Sequence, residues 1–356
     1  MKIFRCDHCG QLIFFENSVC TRCGHTLAFL PDRGRMAALE ACGDERWRIA
    51  GRGGRARLYR LCGNYRNANV CNWAVPARDR QALCPACRLT RTIPDLSVDG
   101  HAQVWYRLEV AKRRLLYSLL ELRLPILSRE EDPQRGLAFD FLADPPDDEG
   151  HAVMTGHANG VITISATEAD DAEREKRRVA LHEPYRTLLG HFRHEIGHYY
   201  WDRLIAGSPR LDAFRTLFGD ERADYAQALQ QHYERASDEH WQDAYVSAYA
   251  SAHPWEDWAE TWAHYLHIGD TLQTAAACGL SLRDAPVGSS DRTLRYTRGS
   301  FESLIGRWLP LTFALNNLNR GLGLPDAYPF VLSPAAIAKL RFVHDTIAQG
   351  PGEKTP

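Results

Sequence analysis

The 356-residue chain is 44% apolar and 25% charged, and its 43 basic and 45 acidic residues leave a formal charge of −2. That balance excludes disordered, collagen-like and coiled-coil chains and leaves a folded protein with material for two or three domains. The longest apolar runs, such as residues 115–120, fall far short of the roughly 20 residues a membrane helix needs, and the opening Met1-Lys2-Ile3-Phe4-Arg5-Cys6 lacks the apolar core of a secretion signal. A cytoplasmic protein without membrane association is expected.

Nine of the ten cysteines precede residue 90. Cys6-Asp7-His8-Cys9-Gly10 and Cys20-Thr21-Arg22-Cys23-Gly24 are matching hooks, each able to present two thiolates to one tetrahedral ion, with a glycine that permits the tight turn. They predict a structural zinc in a ribbon over residues 1–30, with His8 and His25 as bystanders. Cys62, Cys71, Cys84 and Cys87 offer a second set of four, of which only the last pair has hook spacing. They predict a second structural zinc in a module over residues 31–99. A secreted disulfide framework is the rival reading, and the pair spacing and missing signal disfavour it. Cys42 and Cys278 have no partner in either pattern and are read as small buried apolar residues. Residues 31–91 hold thirteen arginines, no lysine and five acids. This excess suits a nucleic-acid or protein partner, and a solvated basic face fits it equally well.

The run Gly51-Arg52-Gly53-Gly54 breaks any periodic structure. From residue 101 the texture changes, with Val104, Leu108, Ala111, Leu115, Leu119 and Leu122 at helical spacing up to Pro125. A helix over 101–124 and a domain boundary near residue 100 follow. Residues 137–141 and 161–164 are short apolar runs separated by a polar, proline-rich stretch, and read as strands of a small sheet. Beyond residue 167 helices are expected at 168–180, 184–206, 221–235, 240–250, 255–279, 300–318 and 333–348, before a frayed tail over 351–356.

His194-Glu195-Ile196-Gly197-His198 lies in an unbroken helical register. Positions i and i+4 share a helix face, so His194 and His198 can put two imidazoles on one metal with Glu195 beside the open position. Chance alone produces this pattern roughly 0.04 times in such a chain, so context must carry the argument. A catalytic zinc needs a third protein ligand. Glu256 and Glu260, in Pro254-Trp255-Glu256-Asp257-Trp258-Ala259-Glu260-Thr261-Trp262-Ala263, share one face of a later helix. One can bind the ion while the other supports a ligand imidazole. Asp257 points about 100° away. An acidic helix start favoured by the helix dipole is the plainer reading, but the tryptophans around it argue for burial, where an unpaired carboxylate is costly.

These two segments, Tyr185 through Trp201 and Trp255 through Tyr265, resemble the bacterial zinc-binding metallopeptidases that carry an N-terminal zinc ribbon, and the likeness covers nearly the whole chain. More distantly the sequence is similar to zincins of the gluzincin type, including the lethal-factor-like peptidases. The resemblance implies Glu256 as third zinc ligand, Glu260 as its supporting carboxylate, and Tyr249, seven residues before the ligand, as donor to the developing oxyanion, with Tyr245 and Tyr265 as nearby competitors.

The sequence thus predicts an α+β chain: small zinc-ribbon modules ahead of a zincin-like metallopeptidase domain over 100–350, itself a small sheet followed by a mainly helical part. One catalytic and two structural zinc ions are expected, with a protein or peptide substrate and Glu195 as general base. The alternatives are a ribbon binding module with a silent zincin domain, or hydrolysis of a non-peptide amide.

Overall fold

The computed structural model describes residues 2–51, 56–145, 152–180, 183, 185–234, 240–280, 282 and 300–350. The glycine break at 52–54 and the tail at 351–356 lie outside them. The chain forms two compact units, one of Lys2–Thr155 with Val161–Asp170, the other of Gly156–Gly160 with Asp171–Pro356.

In the first unit, β1 (Phe4–Arg5) and β2 (Leu12–Ile13) pair antiparallel on either side of the first cysteine hook. A five-stranded antiparallel sheet follows in sequence order: β3 (Thr26–Leu30), β4 (Arg35–Ala41), β5 (Trp47–Ile49), β6 (Tyr59–Leu61) and, after the short helix α1 (Gly63–Ala68), β7 (Ala74–Pro76). It curls almost into a barrel, because Trp73 ahead of β7 bridges Phe29 of β3 and the Phe29 amide donates to Asn72 O at 2.9 Å. Ala28, Leu30, Ala37, Leu39, Ile49, Tyr59, Leu61 and Ala74 form its core. Both faces of β3 and β4 are buried, so Met36-Ala37-Ala38-Leu39 shows no alternation, and for that reason the sequence gives no strand signal here.

Helix α2 (Pro85–Arg88) and β8 (Thr90–Thr92) lead to α3 (His101–Leu122), the helix expected over 101–124. β9 (Ala138–Leu142) pairs in parallel with β8 and with the later strand β11 (Val161–Ser165). Helix α3 packs within the N-terminal compact unit. Its Tyr117 ring meets Phe4, Phe15 and Phe29 at centroid distances of 6.2, 5.4 and 5.8 Å. Lys112 and Glu109, both fully buried on α3, pair at 2.7 Å; Thr90 Oγ1 also donates to Glu109, and Arg113 donates to Val70 O.

The second unit contains the short strand β10 (Gly156–Ala158) and helices α4 (Asp171–Ala180), α5 (Leu188–Leu204), α6 (Leu211–Phe218), α7 (Tyr225–Glu234), α8 (Pro254–Ala277), α9 (Phe301–Gly321) and α10 (Pro334–Gln349). Caps set the starts: Thr187 Oγ1 accepts from Gly190 N, His253 Nδ1 from Trp255 N ahead of Pro254, and Ser333 Oγ from Ala336 N. The helix expected over 240–250 is instead two single 3-10 turns, Trp241–Asp243 and Tyr249–Ser251. Helix α6 was not expected.

The central helix α8 packs against α5, α6, α9 and α10. Where it meets α5 the backbones nearly touch: a Cβ on Gly197 would lie 2.9 Å from Ala259 Cα and 3.2 Å from Trp262 Cβ. Trp258 Nε1 donates to Gly197 O at 2.9 Å, and Tyr200 stacks on Trp262 at 5.0 Å.

Two stability measurements follow. Gly197→Ala must part α5 from α8 and is expected to lower stability by about 1–3 kcal/mol. Gly306→Ala on α9, where an added Cβ meets nothing within 4 Å, should gain about 0.5–1 kcal/mol. Urea midpoints for the two variants check the contrast, and equal effects contradict it. Lys112→Met leaves buried Glu109 with Arg113, 3.7 Å away, as its remaining cation, and should cost about 3 kcal/mol, part of which Glu109→Gln in the same chain restores.

Candidate metal centre

Among the described residues four groups have the composition of metal sites, and three of them are the sets expected from the sequence. In the first, the Sγ atoms of Cys6 and Cys23, and of Cys9 and Cys20, lie 3.6 Å apart. A tetrahedral zinc with bonds of about 2.3 Å separates its sulfurs by about 3.8 Å, so the thiols fit one ion. Gly10 and Gly24 take φ of +72° and +73°, the turn the hooks require. The second group is Cys62, Cys71, Cys84 and Cys87, all buried, with Cys71 and Cys84 sulfurs 3.8 Å apart. Backbone amides of Cys84 and Trp73 reach Cys62 and Cys71 Sγ, each at 3.3 Å. None of the ten cysteines is in a disulfide, and Cys42 and Cys278, expected to be buried, are exposed. Each sits at an element end facing water, after β4 and at the C-cap of α8.

The third group is His194, His198 and Glu256. Because α5 presents residues 194 and 198 on the face that meets α8, the imidazoles converge on the carboxylate. His194 Nε2 is 2.9 Å from Glu256 Oε2 and 3.2 Å from His198 Nε2, and the third side of the triangle is 3.5 Å. A tetrahedral ion with bonds of about 2.0–2.1 Å holds its donors about 3.3 Å apart. The observed separations bracket that value. Buried Glu256 Oε2 has no hydrogen-bond donor, although two imidazole nitrogens face it. Such a convergence of lone pairs is what a cation would resolve, and the residues therefore fit zinc.

The surroundings orient this triangle. Glu260 Oε1 is 2.7 Å from His194 Nδ1, which fixes the tautomer that leaves Nε2 free to ligate. Ser247 Oγ donates to the other oxygen of Glu260 at 2.6 Å, and Tyr225 Oη donates to Glu256 Oε1 at 2.8 Å. The sequence offers no signal for Tyr225 or Ser247, which reach the site from α7 and from the stretch ahead of α8. Burial would raise the Glu256 carboxyl, but His198 and His194 hold it well below the usual range. Glu195 is buried with Oε2 lacking a hydrogen-bond partner, and desolvation raises its pKa against the pull of the two histidines. The Tyr249 ring stands 5.8 Å from the His194 ring, and burial keeps its phenol protonated.

Other residues near the motif have structural partners. Asp257 turns away from the site and pairs with Lys339 Nζ at 2.6 Å. Arg193 pairs with Asp270 and reaches His267 Nδ1 at 2.5 Å, while Arg186 pairs with Glu183 at 2.9 Å. His264 Nδ1 meets Tyr328 Oη at 2.6 Å. His253 caps α8 and is 3.1 Å from Ala223 O. His157 on β10 lies near-parallel to His198 with centroids 6.4 Å apart, its Nε2 accepting from Gly160 N at 3.1 Å, and burial pushes its pKa down to about 3. It forms a neutral wall of the site.

Comparison with known proteins adds to this geometry. Residues 101–346 match the family described as "Putative zinc-binding metallo-peptidase", and residues 3–98 match a zinc-ribbon domain. Uncharacterized proteins of Mycobacterium tuberculosis (strain ATCC 25618 / H37Rv) and Mycobacterium bovis are each 48% identical over 349 residues, spanning 98% of this chain and 95% of their own. No solved structure matches. With its two cysteine sites in the stretch matching the ribbon and its histidine–glutamate triangle in the other, the chain belongs to the zinc-binding metallopeptidase family and carries an N-terminal zinc-ribbon domain.

Proposed function

We propose that the protein is a zinc-dependent peptidase of the gluzincin kind, with one catalytic zinc at His194, His198 and Glu256 and two structural zincs at the cysteine sites. The observation that carries this reading is the convergence of those three donors beside Glu195, a buried carboxylate that no structural partner occupies at Oε2. A scaffold has no need of such a base. Zinc held there supplies a Lewis acid that acidifies a water and polarises the scissile carbonyl.

The chain's own groups do the rest. Glu195, its pKa raised by burial, takes the water proton and returns it to the leaving amine. Tyr249, protonated and next to His194, donates to the oxyanion of the tetrahedral intermediate. Tyr225 is engaged with Glu256 Oε1 and steadies the ligand carboxylate. Glu260 and Ser247 hold His194 in line behind it.

The ribbon unit is read as the part that recruits a protein partner or substrate. Six of the thirteen arginines are held in ion pairs within the unit: Arg35, Arg48, Arg57, Arg66, Arg88 and Arg91 pair with Asp7, Glu40, Asp32, Glu45, Asp79 and Asp140. Exposed Leu12, Phe14 and Val19 suit a protein surface better than a phosphate backbone. Among the described residues no helix is long and apolar enough to cross a membrane.

Comparing new protein N-termini in lysate treated with wild type or with Glu195→Gln tests the peptidase reading. Cleavages confined to wild type are expected, and identical lysates count against it. On a substrate found this way, Glu195→Gln should lose about 100-fold or more in rate while retaining its zinc. His198→Ala is expected to lose one of three zinc equivalents, and Glu260→Gln to weaken that same site by about 10–100-fold. Unchanged metal content in His198→Ala would sink the three-site assignment.

A further inference from the structure

His8, His25 and Glu40 form a further group, on the surface of the ribbon unit, whose ligand atoms all lie within 4.8 Å of one another. We propose that it binds an exchangeable divalent ion of the imidazole-preferring class, such as Ni²⁺, Co²⁺, Zn²⁺ or Cu²⁺. The group is separate from the two cysteine sites and from the His194 centre, and it does not depend on the peptidase reading.

The backbone dictates the juxtaposition. His8 lies inside the first hook and His25 directly after the glycine of the second. Both hooks close with the same bond, Gly10 N to Cys6 O at 2.9 Å and Gly24 N to Cys20 O at 2.8 Å. The matched turns set the two imidazoles face to face, with centroids 4.0 Å apart and planes at 24°. The antiparallel register of β3 and β4, with Thr26 opposite Leu39, extends by one residue to put Glu40 across from His25.

The Glu40 carboxylate is held from behind. Its Oε2 accepts from Arg48 Nε at 3.1 Å and its Oε1 accepts from Gly51 N at 3.3 Å. Oε1 then stands 4.0 Å from His25 Nε2. That is too long for a hydrogen bond. It is within the span of two donors sharing one ion, which reaches about 4.2 Å for opposed ligands with bonds of about 2.1 Å. His8 is exposed, so its ring can turn toward the same point without moving the backbone.

The donor set selects the ion. Arg48 offsets the charge of Glu40, leaving two imidazoles to dominate, a combination that suits borderline transition ions and not Ca²⁺ or Mg²⁺. Three partly exposed donors leave coordination positions open to water, in contrast to the four buried thiols of the second cysteine site. An ion bound here ties both hooks to β4 and so joins the ribbon to the barrel.

The test is calorimetric titration of Ni²⁺ into the full-length zinc-loaded protein, with His198→Ala removing the His194 centre from the count. One further equivalent is expected. The added pair His8→Gln and His25→Gln should abolish it, and Glu40→Gln should weaken it at least tenfold, all with the cysteine-bound zinc unchanged. Equal Ni²⁺ uptake in these variants, or no further equivalent in the parent, overturns the proposal; repeating the titration with Mg²⁺ and finding comparable affinity overturns the ion class.

Discussion

Everything at the His194 centre depends on how closely α5 and α8 approach. Two histidines one turn apart and two glutamates one turn apart become a metal site only if the helices that carry them meet at side-chain length. Gly197, inside the motif itself, removes the Cβ that would hold Ala259 off. Trp258 then bonds the Gly197 carbonyl, which locks the offset between the helices and thereby the pairing of His194 with Glu256 on one nitrogen and Glu260 on the other. The second residue of the two unspecified positions in His-Glu-x-x-His is thus not free in this chain. Its size fixes the donor triangle as firmly as the ligands do.

A different constraint governs the N-terminal unit. The second cysteine site is fully buried, and four thiolates around one divalent ion leave net negative charge where water cannot screen it. Helix α3 brings the compensation: Lys112 and Arg113 are buried, Lys112 acts on Cys87, and Arg113 is held charged by its attraction to Cys71, Glu109, Cys87 and Cys84 despite the cost of burial. Glu109 takes part of that positive charge back through its bond with Lys112. The stretch matching the ribbon ends at residue 98 and the one matching the peptidase family begins at 101. The charges nevertheless tie the first helix of the latter to the metal site of the former, so the unit of sequence and the unit of folding differ.

The parts legible in the sequence are those whose signal is local. The cysteine hooks with their glycines, the i and i+4 histidines, the glutamates on α8, and α3 with its stop at Pro125 are all patterns within a few turns of chain. What was not legible depends on contacts far apart in sequence. Strands β3 and β4 are buried on both faces and show no period of two. Residues 240–250 carry helical spacing, yet Ser247 is drawn to Glu260 and to Ala250 N, and the chain settles into single turns. Tyr225 lies 31 residues from the carboxylate it bonds, a relation that no spacing rule encodes. Cys42 and Cys278 illustrate the opposite error, where residue type suggested burial and position at an element's end decided for exposure.

Ligand number and burial together sort the sites by what they can do. An ion held by the buried Cys62 set would have all four tetrahedral positions on thiols, which would leave no place for water or substrate. The His194 set supplies three donors from two helices that cannot part without breaking the Gly197 contact, so its fourth position is open while its geometry is rigid. Under the proposed peptidase reading that combination serves the chemistry, because an incoming carbonyl would find the charge already oriented. His8, His25 and Glu40 also supply three donors, but from two turns and a strand at the surface, where water competes at every position. Rigidity without saturation is what separates the His194 centre from both of the others, and the chain obtains it by placing the ligands on the two helices whose backbones come closest.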